Sequence, residues 1–580
     1  MTNGEQTARI DIPAKTCDIV LKGGITSGVV YPLALTELAK QYRLSSIGGT
    51  SAGAMAAAAA AAAEYGRQTG HPGFERLAQI PGEIGPNLLT MFQPTPVLKP
   101  VFEIFLAAMG AESKVAGAFG VAWAAIKGYW GSALLGVIPG LVIVVLAALC
   151  GAVGLVLFGL LLTLVGLVVA LLWRLSKAAN HDLEKADFGI CPGIRQSYAS
   201  SEAFTDWLAR VIDEAAGRNG LTDPPLTFGD LAAPPDGSRP AIHLAMMTTS
   251  LMEERPYTLP MRNERFFFEK SDWDKIFPQR IMAFLIEACK PFTPPAGESG
   301  QYYYFPSEPH LPLVVAARMS LSFPGLISAV PLWTRDFTLI DEAEKQKMRR
   351  CLFSDGGLSS NFPIHFFDHI LPNSPTFAIT LDDYDPKRNR DRVWLPENAE
   401  SGIQLPIVSF SGLGGFLMRL IDSAKNWQDN LQSTLPGYRE RIAHIALASD
   451  EGGLNLAMSA DTIKTVAGYG QRAGDELCNQ FNFNEHRWRR FLVAMAKMEE
   501  TLDDVATAYA GVGAPESFAA FLQRYAANPA HYRQKPDILQ VMLSRGNDLA
   551  VAGTDWRVQP TIREGHIPRP ATDLRISPKP

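Results

Sequence analysis

An α/β fold interrupted by a membrane-crossing helical insertion is what this sequence predicts, on three observations. First, a strand, a tight glycine-bearing turn and a helix follow one another twice within the first 70 residues, at Asp18–Tyr42 and Leu44–Ala63. Second, apolar runs of strand length recur far downstream, at Ala241–Thr248 and Thr376–Leu381 (TFAITL). Third, no charged residue occurs from Gly128 to Trp173, a stretch too long and too apolar for an ordinary surface helix.

The second strand–turn–helix unit carries Gly49-Thr50-Ser51-Ala52-Gly53, a G-x-S-x-G sequence followed by Ala54-Met55 and an unbroken alanine run to Ala63. Glycines at both ends permit a strained turn that lifts the serine hydroxyl above a sheet. The helix after it directs its free N–H groups and positive dipole end at the place where an oxyanion forms in acyl transfer. Small residues in an ordinary turn are the alternative reading.

In the first unit, Asp18-Ile19-Val20-Leu21 reads as a short buried strand, and Lys22-Gly23-Gly24-Ile25-Thr26-Ser27-Gly28 follows it. A helix is expected from about Val29 to Tyr42. Backbone N–H groups left bare by paired glycines bind anions. Neither G-x-G-x-x-G nor G-x-x-x-x-G-K-[ST] is satisfied, so an oxyanion hole for Ser51, built from amides at Gly23, Gly24 and Ile25, fits better than a phosphate cradle.

A third segment, Phe353-Ser354-Asp355-Gly356-Gly357, places an aspartate at a strand end before two glycines that let another loop come close. Such a carboxylate can take a serine proton directly, with no intervening histidine. An Asp-Gly turn without chemistry is the competing reading. His365 and His369 complete a Ser…Asp…His order, but ten residues is tight for two members of a triad on separate loops, and 361–367 reads as a helix start packing its aromatics. The remaining histidines show no metal-ligand spacing, so neither metal nor cofactor is expected, and six cysteines without C-x-x-C read as thiols of a reducing compartment.

Taken in this order, the three segments resemble the patatin-like phospholipase family, with its glycine-rich oxyanion loop, G-x-S-x-G serine and D-G-[GA] aspartate. The resemblance extends to AIHLAMMTTSLMEERPYTLP (241–260) and to VVAARMSLSFPGLISAVP (314–331), which is similar to the family's A-x-R-x-S-x-x-x-P block. It implies a three-layer α/β/α domain, a Ser51–Asp355 catalytic dyad, motif glycines at Gly28, Gly49, Gly53, Gly356 and Gly357, and no metal requirement. In the first motif Lys22 stands at the first glycine position, Thr26 or Ser27 at the basic position, and the spacing is one residue longer, which leaves open which amides form the hole.

As one helix, the 46 uncharged residues from Gly128 would be about 69 Å long, roughly twice the hydrocarbon thickness of a bilayer. Two crossings near 131–150 and 153–173, turning at Cys150-Gly151-Ala152, are therefore expected. A single tilted crossing and a buried soluble hairpin are the competitors. Ser51 precedes the segment and Asp355 follows it, so one shared site requires an even number of crossings, by a re-entrant or a fully spanning hairpin. Lys114 and Lys127 before it and Arg174, Lys177 and Lys185 after it place both ends in the cytoplasm. A bacterial inner membrane with a cytoplasmic catalytic domain is the expected location. The polar start, MTNGEQTARIDIPAK, has no apolar core, so no signal peptide is expected.

A length of 580 residues exceeds one domain, and a net charge of −6 without a basic-aromatic patch gives no reason to expect nucleic acid. The expected organisation is an α/β domain in two halves, 1–70 and 185–385, around an insertion, 71–184, that is Pro- and Gly-punctuated at 81–100 and helical through 101–127. The charged run at 385–392 reads as a solvated linker to a mostly helical region, 386–553, with Glu451-Gly452-Gly453-Leu454 as a plain turn and 554–580 as an extended or disordered tail. The function expected is hydrolysis of glycerophospholipid acyl esters at the bilayer through an acyl-enzyme. A non-catalytic membrane scaffold or effector and a lipid transacylase are the alternatives, and oligomeric state is not readable.

Overall fold

A twelve-stranded mixed sheet organises the chain. The computed structural model describes residues 12–109, 114–232, 242–262, 265–295, 297–389, 391–396, 401–453 and 455–570. The polar start through residue 11, Ala241, Arg390, Leu454 and the tail from 571 lie outside them.

Five strands form the parallel centre: β1 (Thr16–Leu21), β2 (Arg43–Gly49), β3 (His243–Ser250), β7 (Thr376–Asp383) and β9 (Ile442–Leu447). Their order across the sheet is β9-β7-β1-β2-β3. Ile19, Val20 and Leu21 are fully buried, as expected of a strand covered on both faces. Beyond β3 the sheet turns antiparallel through β6 (Met348–Asp355) and β5 (Val330–Arg335), with β4 (Arg255–Leu259) also paired to β3 and β8 (Val393–Trp394) antiparallel to β9.

The expected end of the α/β body at 385 is not an end of the sheet. Both β8 and β9 lie beyond it: β9 pairs with β7 and β8 with β9, because Ile442, Ala443 and Ile445 are apolar enough to be buried in the sheet. Within the charged run, Arg392 is not simply solvated: its guanidinium stacks on the Tyr384 ring and pairs with Glu451 at 2.7 Å.

The first helices are α1 (Tyr31–Ala39), α2 (Ala52–Thr69) and α3 (Gly73–Met91). Alanine is the best helix former and the smallest, so the run in α2 both forms helix and lets it settle fully buried against β2, α3 and α8 (Phe204–Ala215). Helix α2 ends at Gly70, whose φ of +89° is the left-handed cap that glycine tolerates. Helix α3 runs through Pro81 and Pro86, so the punctuated reading of 81–91 was mistaken. Burial of Leu77, Ile80, Pro81 and Met91 outweighs the hydrogen bonds those prolines remove.

After α4 (Lys99–Met109) and α5 (Lys114–Gly128) come α6 (Trp130–Leu149) and α7 (Val153–Lys177), joined by a turn at Cys150–Ala152. Both are long and apolar enough to cross a membrane, and their large side chains face outward. They pack antiparallel on small residues. A Cβ on Gly136 would stand 2.3 Å from Gly166 O, and one on Gly140 the same distance from Thr163 N. At the other end of the chain, the tail from Thr554 begins as helix, since a helix extends from Pro536 to Arg557.

Candidate active site

Strand register sets the geometry. Leu21 of β1 lies beside Gly49 of β2, so the loop after Leu21 and the turn after Gly49 leave adjacent parallel strands together at their carboxyl edge. Gly49 lies beside Met246 of β3, while Asp355 lies opposite Thr248, two residues further along that strand. Ser51 is two residues beyond Gly49, so it reaches the same height as Asp355. The Ser51 Oγ–Asp355 Oδ2 distance is 2.8 Å, and both residues are buried.

The turn holding Ser51 is strained. Its φ of +54° with ψ of −128° costs a residue with a side chain about 1–3 kcal/mol. Neighbouring contacts hold it there: the Ser51 N–H donates to Ser320 Oγ at 3.1 Å, and the Ser51 carbonyl accepts from Ala54 N at 2.9 Å. Close approach explains the two motif glycines. A Cβ on Gly49 would meet Gly53 C at 2.7 Å, and one on Gly53 would meet Leu21 O at 2.4 Å. Gly53→Ala gains about 1 kcal/mol of helix propensity but drives a methyl into strand backbone, which costs about 1–3 kcal/mol or more. The clash wins, and a lowered Tm is the expected result by thermal unfolding.

Asp355 ends β6, and its Oδ1 accepts the Gly357 N–H at 2.6 Å. A Cβ on Gly356 would lie 2.0 Å from Met247 O, so only glycine fits there. Burial pushes the Asp355 carboxyl up to about 6, against the Ser51 and Gly357 hydrogen bonds and the Lys425 charge, which favour ionisation. Ser51 Oγ also lies 2.9 Å from Gly24 O. One hydroxyl proton cannot serve both acceptors. With Asp355 ionised it goes to the carboxylate, the stronger acceptor. With Asp355 protonated, the acid donates to Ser51 Oγ and Ser51 donates to Gly24 O.

The glycine loop is fastened on several sides. Lys22 Nζ donates to Thr380 Oγ1 at 3.1 Å and Leu381 O at 2.8 Å, and the Tyr31 hydroxyl donates to Lys22 O at 2.5 Å. Thr26 donates from N and Oγ1 to Gly453 O, so the described part of the turn expected at 451–454, residues 451–453, seats the loop rather than being a plain connection. Gly23 does not fit the donor role assigned to it, because its N–H donates to Asn361 O at 2.7 Å. The N–H groups of Gly24 and Ile25 have no acceptor among the described residues and are the donors left for an oxyanion. Gly28 lies against the start of α2, where a Cβ would stand 2.7 Å from Ala52 Cβ.

Supporting groups come from the segment around α9 (Leu313–Ser320). Arg318 is fully buried and pairs with no carboxylate among the described residues; burial lowers its pKa to about 9. It donates to Ser322 Oγ at 2.7 Å, Pro192 O at 3.0 Å and Ser328 O at 2.9 Å. The Ser322 carbonyl in turn accepts Asp355 N at 3.0 Å and Ser354 Oγ at 2.8 Å. Arg318→Met would leave three buried oxygens short of a donor, at about 1–3 kcal/mol for each. We expect a large drop in Tm, read by calorimetry.

Neither histidine after Asp355 reaches the pair. His365 is half-buried, with Nδ1 unpartnered among the described residues and its ring edge-on to Phe366 at 5.2 Å; burial holds its pKa below the usual value. The carbonyl of His369 accepts from Arg490. The helix expected at 361–367 is a turn instead. Pro363 interrupts it, and Asp429 captures the amides of Asn361 and Phe362 at 2.7 and 2.8 Å and the Ser360 hydroxyl at 2.7 Å. Asp429 belongs to α10 (Gly412–Ser433), and nothing in its local sequence marked it. Ser320 and Arg318 lay in a recognisable block, but their partners are set by the fold.

An apolar cleft opens beside Ser51. Ala52, Met55, Ala56 and Ala59, one stripe of α2, line it with Ile25, Leu321, Ile80 and Met91, and Phe204, Trp207 and Leu208 of α8 stand opposite. Among the described residues no group of three or more His, Cys, Asp or Glu is placed to hold a metal ion.

No protein-family model matches the chain. The solved structure of VipD from Legionella pneumophila aligns over 95% of this chain and 88% of its own at 12% identity, with a TM-score of 0.32, too low to bear on the fold. Sequence similarity reaches further: the chain belongs to the family of the RpoH suppressor of Rhizobium meliloti (strain 1021), to which it is 33% identical over 656 aligned positions spanning 98% of this chain and 99% of that protein.

Proposed function

We propose that the chain is a membrane-anchored serine lipid acyl hydrolase of patatin-like type, cleaving acyl esters of glycerophospholipids. The observation that carries this reading is the buried 2.8 Å contact between Ser51 Oγ on a strained turn and Asp355 Oδ2. Asp355 accepts the proton as Ser51 Oγ attacks the ester carbonyl carbon. Negative charge moves to the carbonyl oxygen, where the Gly24 and Ile25 amides and the start of α2 hold it. Collapse of the tetrahedral intermediate breaks the ester C–O bond, and the leaving alcohol takes the proton from Asp355. Water, deprotonated by the same carboxylate, then releases the fatty acid and restores Ser51.

The cleft supports an acyl substrate, since each buried CH₂ contributes about 0.8 kcal/mol. The outward-facing α6 and α7 support residence at a bilayer. A hairpin returns the chain to the side it left, which a site shared by Ser51 and Asp355 requires; the basic residues flanking it support the cytoplasm, at the inner membrane of a bacterium, as that side. We assign the catalytic unit to the sheet with α1, α2 and α8, and treat 71–184 as its membrane insertion.

Incubating the detergent-solubilised full chain with a defined panel of phospholipids and neutral lipids tests the proposal. Release of fatty acid, with covalent labelling of Ser51 by a fluorophosphonate probe, is expected. An unlabelled serine and no released acid across the panel would overturn it in favour of a non-catalytic scaffold.

A further inference from the structure

Helix α10 is amphipathic in the reverse sense for a helix lying on a protein. All four of its charged residues, Arg419, Asp422, Lys425 and Asp429, are buried or half-buried on the inward side. Its outward side exposes Leu413, Phe416, Leu417, Leu420, Ile421 and Trp427. The segment leading into it continues the pattern with exposed Ile407 and Phe410.

The inward side is tied to the site. Asp429 takes three hydrogen bonds from Ser360–Phe362, and Asn361 in that segment accepts the Gly23 N–H. The Lys425 ammonium acts electrostatically on Asp355. So α10 is fastened beside the mouth of the Ser51 site, with an apolar face about 33 Å long turned away from the protein.

We propose that α10 lies in the surface of a phospholipid bilayer, with Phe416, Leu417, Leu420 and Ile421 below the headgroups and Trp427 at their level. Lipid is the occupant that the rest of the chain supports, since α6 and α7 are long and apolar enough to cross a membrane and turn their large side chains outward. The outward face bears no charge, so docking runs on apolar burial and needs neither anionic lipid nor low salt. Its consequence, a lipid surface pressed against the mouth of the site, rests on the hydrolase reading; the docking itself does not.

The test uses the full chain in phosphatidylcholine vesicles, with Cys150→Ser and Cys478→Ser removing the accessible thiols. A bimane label is placed on Leu420→Cys or, as an inward control, on Asn426→Cys. Phosphatidylcholine spin-labelled along its acyl chain should quench most of the fluorescence at position 420 and little at 426, equally at low and high salt. Equal, weak quenching at both positions would overturn the proposal. So would disulfide cross-linking between copies through position 420 without lipid quenching, which would identify a second copy of the chain as the occupant. Quenching reports docking whether or not Ser51 turns over lipid, and probe labelling of Ser51 reports the hydrolase whether or not α10 docks.

Discussion

Ser51→Ala should lower phospholipid hydrolysis by at least about 10³-fold in kcat and abolish fluorophosphonate labelling, leaving the protein in the membrane fraction. The size follows from the role: without Oγ no acyl-enzyme forms, and only the donors and the cleft remain to help a water attack. Little structural cost is expected, because the hydroxyl's partners at 2.8 and 2.9 Å are Asp355 and Gly24 O, and the first can protonate once its donor is gone. The check is kcat on micellar phospholipid for wild type and variant, with Tm alongside. A variant that folds and retains rate would remove Ser51 from the mechanism.

Asp355→Asn should be nearly as damaging, and it carries a pH signature. In the proposed mechanism the base is active as carboxylate. Burial has raised its pKa from the ordinary carboxylate range to about 6, so the active form dominates above that pH and is lost as pH falls through it. Wild-type kcat/KM should therefore rise about tenfold per pH unit below 6 and level off above 7. An asparagine cannot titrate, so the residual activity of the variant should lose this dependence. A wild-type profile already flat from pH 5 to 8 would mean that Asp355 does not act as the base.

How much of this is legible depends on whether the constraint is local. The turn at Gly49–Gly53 and the Asp355-Gly356-Gly357 end of β6 could be marked from sequence because close backbone approach leaves room only for glycine, and that constraint is written at the position itself. The α6–α7 helix pair was equally plain, since an apolar run long enough to cross a membrane is written in the sequence itself. The misread parts share the opposite property. Proline at 81 and 86 argued against a helix that burial of α3 nonetheless sustains. Likewise, β8 and β9 follow a charged run and read as a separate region, whereas β9 pairs with β7 and β8 with β9.

The sequence by itself determined which residues could carry chemistry and which segments could face lipid, because side-chain type, glycine and apolar length are properties of single positions and runs. Only the tertiary structure decided that Asp355 stands 2.8 Å from Ser51, that the Gly23 amide is spent on Asn361, and that Asp429 and Gly453 from the far end of the chain hold the loops of the site. The physical reason is that hydrogen bonds between groups tens to hundreds of residues apart are fixed by strand register and helix packing. No local pattern encodes those.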